Sequence, residues 1–183
     1  MVISLQTYEL VALEDSDAVW ELECGRLRQK PGVTAEHGFD MQALTAQLIV
    51  QLDRREFLAY MNTIRLRTSS GSFYVPDVTV VPRTLVQQRL QQRSLRLEVY
   101  EEPMPLVAEV WSPSTGDYDV TAKLREYQQR GDAEIWLVHP YDRTLTGWRR
   151  RPDGSYSETL YREGSIEPVA LPGVCIELAS LFE

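Results

Sequence analysis

The sequence predicts an α/β protein in which helices flank a central mixed β-sheet. Two amphipathic helical patterns, a set of short apolar runs typical of strands, and their order along the chain lead to this prediction. The order is strand, helix, several strands, helix and a final β-meander. With 183 residues, 43% of them hydrophobic, the chain can bury a core of its own. We therefore expect one domain over residues 1–183.

The first half of the chain is predicted to place one long helix between β-rich segments. The predicted elements are a strand over 19–28 interrupted at Gly25, a helix over 36–52, β-rich runs over 57–67 and 73–81, and a solvated helix or loop over 86–96. The helix follows from the spacing of Phe39, Ala43, Leu44, Leu48 and Leu52, which gives one apolar stripe. Residues 69–71 are typical of a hairpin connection between the two β-rich runs.

The second half is predicted to contain a buried strand, a helix and the meander. The predicted elements are a strand over 106–111, a turn over 112–116, a helix over 117–130, a buried strand over 135–138, meander strands over 144–150, 156–162 and 174–178, and a two-residue turn at Asp153–Gly154. Residues 106–111 are almost continuously apolar, which indicates a strand buried on both faces. Gly131 is expected to end the helix.

Composition excludes several classes of protein. The net charge of -8 excludes a protein that coats nucleic acid by charge alone, so such contact would need a local patch or metal ions. No apolar run approaches the roughly 18 residues of a membrane span, and residues 1–10 do not have the pattern of a secretory signal. Cys24 and Cys175 form no disulfide framework, which predicts a reducing cytoplasm.

Lysine is scarce: only Lys30 and Lys123 occur among 19 basic residues.

Two acids lie in runs that are otherwise typical of buried strands. Asp77 lies within residues 74–81, and Glu109 lies within residues 106–111. An ionised carboxylate in such a place must be paired, bound to a metal, or placed at a strand end that faces a cleft. Both acids are followed closely by turns, so both could lie near sheet ends and hold one hard cation between them.

The helix that follows Glu109 carries a third candidate group. Asp119, Lys123 and Tyr127 are spaced by four residues and therefore share one helix face. The turn before this helix is short, so we expect the helix to fold back and place Lys123 near Asp77 and Glu109. A divalent metal, two carboxylates and a lysine suit hydrolysis of a phosphodiester bond.

These residues together resemble known nucleases. Pro76-Asp77, Glu109-Val110-Trp111 and Lys123 resemble a migrated form of the PD-(D/E)xK signature. Residues 105–115 and 134–140 resemble the Uma-two family of restriction endonucleases within that superfamily. Residues 20–25 are similar to the opening strand of the family, and His37 falls where the family often has a histidine. The likeness covers nearly the whole chain.

The resemblance implies a restriction-endonuclease-like fold and an Mg²⁺-dependent deoxyribonuclease, with Mn²⁺ as a substitute and DNA as the substrate. It assigns Asp77 and Glu109 as catalytic metal ligands, helped by the backbone carbonyl of Val110 and by Glu21 as an extra acid. Lys123 takes the role of the lysine that the standard motif places at Trp111. The supporting residues are Asp119, Tyr127 and His37, while His139 and Cys24, which replace family acids, are expected to be peripheral. A homodimer would allow both strands to be cut.

Each assignment has a structural alternative. Asp119 and Lys123 could be an ordinary surface pair, Tyr127 could be a core residue, and Glu21 could be solvated. The arginines of residues 149–151 could contact phosphates or simply end a solvated hairpin. Two other functions remain open: an inactive nucleic-acid or protein interaction module, which the net charge favours, and a metal-dependent hydrolase of nucleotides or RNA.

Overall fold

The computed structural model describes residues 3–15, 17–32, 34–92, 97–113 and 116–183, and describes residues 92 and 116–120 by their backbone alone. The helices are α1 Leu5–Glu14, α2 Ala35–Gln51, α3 Arg83–Gln92, α4 Gly116–Arg130 and a short 3₁₀ helix at Ala179–Leu181. The strands are β1 Trp20–Glu23, β2 Arg26–Gln29, β3 Phe57–Met61, β4 Arg65–Arg67, β5 Phe73–Tyr74, β6 Val78–Pro82, β7 Val99–Tyr100, β8 Leu106–Val110, β9 Glu134–His139, β10 Thr144–Arg150, β11 Tyr156–Tyr161, β12 Ser165–Ile166 and β13 Ile176–Glu177.

The strands form two larger sheets and a small one. The main sheet has six strands in the order β11-β10-β9-β8-β6-β3, and the second has five in the order β2-β1-β5-β4-β7. In the main sheet β8 and β9 are parallel and are connected through α4, whereas the other neighbours are antiparallel. Strands β12 and β13 pair separately. The protein is therefore a mixed α/β fold with helices against the sheet, as the sequence predicts.

Both faces of the main sheet are covered by apolar contacts. On one face, Leu44 and Leu48 of α2 pack with side chains such as Val80 and Val138. On the other face, Tyr127 of α4 packs with Val107 and other residues of the same cluster. This two-sided burial explains why residues 106–110 are almost continuously apolar. It also makes a charged residue within these strands costly.

The predicted helices over 36–52 and 117–130 are confirmed within one residue at each end by α2 and α4. The solvated segment over 86–96 is a helix that begins earlier, at Arg83, and the last residues of that segment lie outside the described residues. The predicted turn over 112–116 likewise includes residues 114 and 115, which are not described.

The predicted single strand over 19–28 is wrong. Strands β1 and β2 form a hairpin in which Glu23 pairs with Arg26. The two loop residues, Cys24 and Gly25, have φ of 46° and 77°, which is the pattern of a type I′ turn. Glycine adopts this conformation without strain, but cysteine seldom does, so the alternation of apolar residues concealed the turn.

Three other features differ from the sequence predictions. Helix α1 was not predicted, because Leu10 and Leu13 are exposed while Tyr8 and Ala12 are buried, so its apolar residues do not follow one stripe. The turn at Asp153–Gly154 belongs to a longer loop, in which the Arg151 amide donates to the Ser155 carbonyl. The strand predicted over 174–178 lies in the small sheet and not in the meander.

Among the described residues, no helix has the length and apolar character needed to cross a membrane.

A buried ion pair closes the loop between α4 and β9, and it supplies a test of the fold. Arg130 Nε lies 3.2 Å from Asp132 Oδ2, and Asp132 Oδ1 accepts a 2.7 Å hydrogen bond from the Met104 amide. Both side chains are almost fully buried. We expect Asp132→Ala to lower the free energy of unfolding by about 3–5 kcal/mol, because the buried guanidinium would lose the carboxylate that neutralises it and keep only neutral backbone carbonyls among its described partners. Urea denaturation measures this change. The exposed Asp17→Ala should unfold as wild type does, and an equal loss in both variants would contradict the pairing.

Candidate metal-binding and catalytic site

Asp77 is held by donors from three different parts of the chain. It precedes β6, and continuing the register Val78↔Ala108 places it opposite Glu109. Its Oδ1 accepts from Lys30 Nζ at 2.7 Å, while its Oδ2 lies 3.1 Å from His37 Nε2 and accepts from the Val110 amide at 2.7 Å. Burial alone would raise the pKa of this carboxyl, but Lys30 and His37 outweigh it and hold the pKa well below its usual range. Asp77 is therefore ionised.

Lys30 is a site residue that the sequence reasoning did not assign. It follows β2, and its Nζ donates to Asp77 Oδ1, to Asn62 Oδ1 at 2.8 Å and to the Val75 carbonyl at 2.8 Å. An ammonium group has three hydrogens, and these three acceptors match them. The scarcity of lysine could have pointed to Lys30, because the chain has only two lysines and both lie in this site.

Glu109 is the least neutralised acid of the site. Its Oε1 accepts from the Tyr127 hydroxyl at 2.7 Å and lies 3.3 Å from Lys123 Nζ. Burial raises the pKa of Glu109 to about 7; Lys123 opposes this shift, and the nearby Asp77 carboxylate adds to it. The positive groups near Glu109 therefore do not fully offset the effects of burial and of the neighbouring acids on its ionised form.

Lys123 connects two acids from different sheets. It lies on α4 and is 3% exposed, and its Nζ donates to Glu21 Oε1 at 3.0 Å in addition to its contact with Glu109. Glu21, on β1, also accepts from the Val75 amide at 2.8 Å with the same oxygen. The ammonium lies 5.6 Å from the centre of the Tyr74 ring, within cation–π range. The predicted return of this helix to the strand of Glu109 is confirmed.

The structure brings most of the sequence candidates together. They form two neighbouring groups: Lys123 contacts Glu109 and Glu21, and Tyr127 donates to Glu109, whereas Asp77 contacts His37 and pairs with Lys30, not with Lys123, in the described contacts. The Val75 backbone joins the groups, because its amide donates to Glu21 and its carbonyl accepts from Lys30. His37 takes its position because the Thr34 hydroxyl caps α2 and accepts from the His37 amide. Val110 contributes its amide to Asp77.

The side chain of Asp119 lies outside the described residues, so its predicted supporting role stays a prediction.

The chemistry of the donor set suits a hard divalent cation. Carboxylate oxygens are the ligands that Mg²⁺ prefers, and one or two of them commonly suffice with water. A carboxylate offers about four lone-pair positions, and the described bonds of Asp77 use three. The raised pKa of Glu109 shows that its negative charge is poorly offset by its neighbours. Its side chain is 14% exposed, so an ion from solvent can reach it. In the described part of the chain no cluster of three or more His, Cys, Asp or Glu is arranged to hold a metal ion.

These features define a mixed α/β protein with a buried carboxylate–lysine site where its two larger sheets meet. The family model described as Uma2, putative restriction endonuclease, matches residues 5–179. The chain therefore belongs to the Uma2 family, a family of nucleases by its description.

Comparison with solved structures supports the same fold. A crystal structure described as a putative nuclease belonging to DUF820, from Anabaena variabilis ATCC 29413, superposes with a TM-score of 0.73. It shares 16% sequence identity, and the match covers 89% of each chain. At this identity the likeness shows the fold. No curated protein matches the chain significantly.

The contact between Lys30 and Asp77 can be tested by a double-mutant cycle. Lys30→Met and Asp77→Asn should each destabilise the protein, and the pair should couple by about 2 kcal/mol or more, because each single change strands a buried polar group. Urea denaturation of the four proteins gives the coupling. The exposed pair of Arg55 and Asp53 serves as the control and should show no measurable coupling. Additive effects of Lys30→Met and Asp77→Asn would disprove the contact.

Proposed function

We propose that this protein is a Mg²⁺-dependent endonuclease that hydrolyses phosphodiester bonds in DNA, with Mn²⁺ as a substitute. Membership of the Uma2 family supports the reaction class. The observation that carries the proposal is that both lysines of the chain pair with carboxylates at this site: Lys30 with the buried Asp77, and Lys123 with the buried Glu21 and the half-buried Glu109. Such a cluster is costly to bury, which favours a functional reason for its presence.

In this proposal Asp77 and Glu109 hold the cation, and the backbone carbonyl of Val110 is the third ligand suggested by the family resemblance. A bound divalent ion would polarise the scissile phosphate and offset its negative charge. Glu109 is suited to this role because burial and its acidic neighbours leave its negative charge poorly compensated. Lys30 and His37 keep Asp77 ionised and fix the direction of its oxygens.

Lys123 is the group proposed to act on the reacting atoms. Its ammonium lies between Glu21 and Glu109, so it is positioned before any substrate binds. There it would orient the attacking water and stabilise the charge that develops on the phosphate. Glu21 and Tyr127 are positioning residues: Glu21 anchors Lys123, and the Tyr127 hydroxyl fixes one oxygen of Glu109. Glu21 could also supply an additional metal ligand.

Two further parts of the proposal concern the setting of the reaction. Cleavage of both strands of a duplex needs two such sites, so we propose a homodimer. The cytoplasmic location rests on the sparse cysteine content, and Cys24 and Cys175 are both free thiols.

One observation favours a second function, an interaction module without catalysis. The oxygens of Asp77 already receive three donors from the protein, and Lys123 already bridges two acids. A network satisfied in this way could serve stability alone. The two functions differ in whether the site binds a divalent cation.

Catalysis is tested by nicking of supercoiled plasmid in the presence of Mg²⁺ or Mn²⁺. Asp77→Asn, Glu109→Gln and Lys123→Met should each lower the rate by about 100-fold or more, because each removes a charge from the reacting centre. Circular dichroism checks that the variants are folded. Parallel assays with single-stranded DNA and RNA distinguish a deoxyribonuclease from a hydrolase of another substrate.

The matched control is Glu163→Gln, an exposed acid that should leave the nicking rate unchanged. If Glu109→Gln cuts as fast as wild type, the assigned metal ligand is wrong. If wild type cuts no nucleic acid with either metal, the endonuclease proposal fails.

Metal uptake is tested separately by isothermal titration with Mn²⁺. Wild type should bind the ion, and Glu109→Ala should lower the affinity at least about tenfold, because one of the two carboxylate ligands is lost. Glu163→Gln should bind as wild type does. Absence of uptake by wild type would favour the interaction module over any metal-dependent hydrolase.

A further inference from the structure

Three aromatic rings form a cluster at the end of the parallel strand pair. The Trp111 and His139 rings are stacked, with centres 4.5 Å apart and planes at 23°. Tyr141 packs edge-on against both, at 5.7 Å from Trp111 and 6.4 Å from His139. We call these three residues the aromatic cluster. None of them is used by the proposed hydrolytic chemistry.

The aromatic cluster lies on the same side of the sheet as Glu109. The Trp111 amide donates to the Val138 carbonyl, so the extended pairing of β8 with β9 continues beyond Val110. Side chains alternate along a strand, which places Trp111 on the face of Glu109, about 6.6 Å further along. That distance corresponds to about two steps of the 3.4 Å rise that each nucleotide of one strand makes along the axis of a DNA duplex. A base on the cluster would thus belong to a nucleotide close to the one being cut.

The aromatic cluster is both held in place and open to solvent. The Asp142 amide donates to His139 Nδ1 at 3.1 Å, which fixes the orientation of the imidazole ring. Tyr141 is 51% exposed, and the His139 side chain is 23% exposed. Tyrosine and tryptophan side chains are enriched at interfaces, where one end of the ring is apolar and the other is in contact with water.

We propose that the aromatic cluster is a stacking platform for one unpaired nucleobase of the substrate, next to the position of cleavage. This inference rests on the proposed endonuclease function. A protein with a net charge of -8 obtains little binding energy from attraction to phosphates. Base stacking does not depend on charge and could supply binding energy instead. Bases in a continuous duplex are stacked on one another, so the platform predicts a preference for single-stranded or locally opened DNA.

The platform is tested by fluorescence anisotropy with a fluorescein-labelled 12-nucleotide oligothymidylate. EDTA is present, so that binding is measured without cleavage. Tyr141→Ala should weaken binding roughly tenfold, as expected for the loss of one base–aromatic stack, whereas Tyr141→Phe, which keeps the ring, should bind nearly as wild type does. Trp111→Leu should weaken binding similarly. A duplex of equal length should bind more weakly and respond little to these changes.

Leu160→Ala is the control, since Leu160 is 48% exposed on β11, a strand that pairs with neither β8 nor β9. Equal binding by wild type, Tyr141→Ala and Trp111→Leu would overturn the platform, as would an absence of binding by wild type. Binding through Tyr141 without any cleavage would support the platform and disprove the endonuclease. Cleavage by wild type with unchanged binding by Tyr141→Ala would support the endonuclease and disprove the platform.

Discussion

Asp77 is an ionised carboxylate at the start of a buried strand, and its neutralisation determines how several elements meet. Burying such a charge without partners would cost more than the protein could supply, so donors must be brought to it. They come from the residue after β2, from the first turn of α2 and from the end of β8. Because β2 belongs to the five-stranded sheet and β8 to the six-stranded sheet, Asp77 links the two sheets.

Lys123 makes a second link of the same kind, between Glu21 of β1 and Glu109 of β8. Among the described residues of the site, three carboxylates face two lysines, a deficit of one positive charge between these two kinds of group. Glu109 has a raised pKa, which locates this deficit near its side chain. A proton can relieve the deficit, but a divalent cation relieves it more fully, and this is the physical link between the fold and the proposed chemistry.

The sequence was informative where a residue contradicts its local pattern. Asp77 and Glu109 were found because acids interrupt apolar strands, and Lys123 because a four-residue spacing fixes a helix face. Lys30 escaped because its position depends on the β1–β2 hairpin, whose turn has Cys24 at a positive φ, a conformation that alternation does not reveal. The partner of a buried charge is set by pairings between segments that are distant in the chain, and local sequence patterns do not show these pairings.

The lysine that contacts Glu109 lies on helix α4, and Trp111 occupies the strand position where a lysine could otherwise stand. The standard form of the signature that the sequence resembles has a lysine two residues after its strand acid, and here that position is Trp111. It lies on the face of Glu109, where its ring stacks on His139 instead of presenting a charge. Lys123 reaches the same acid from α4, so the pairing of Glu109 with a lysine does not require one at residue 111. The position of Lys123 on α4 is therefore compatible with an aromatic side chain at residue 111, beside Glu109.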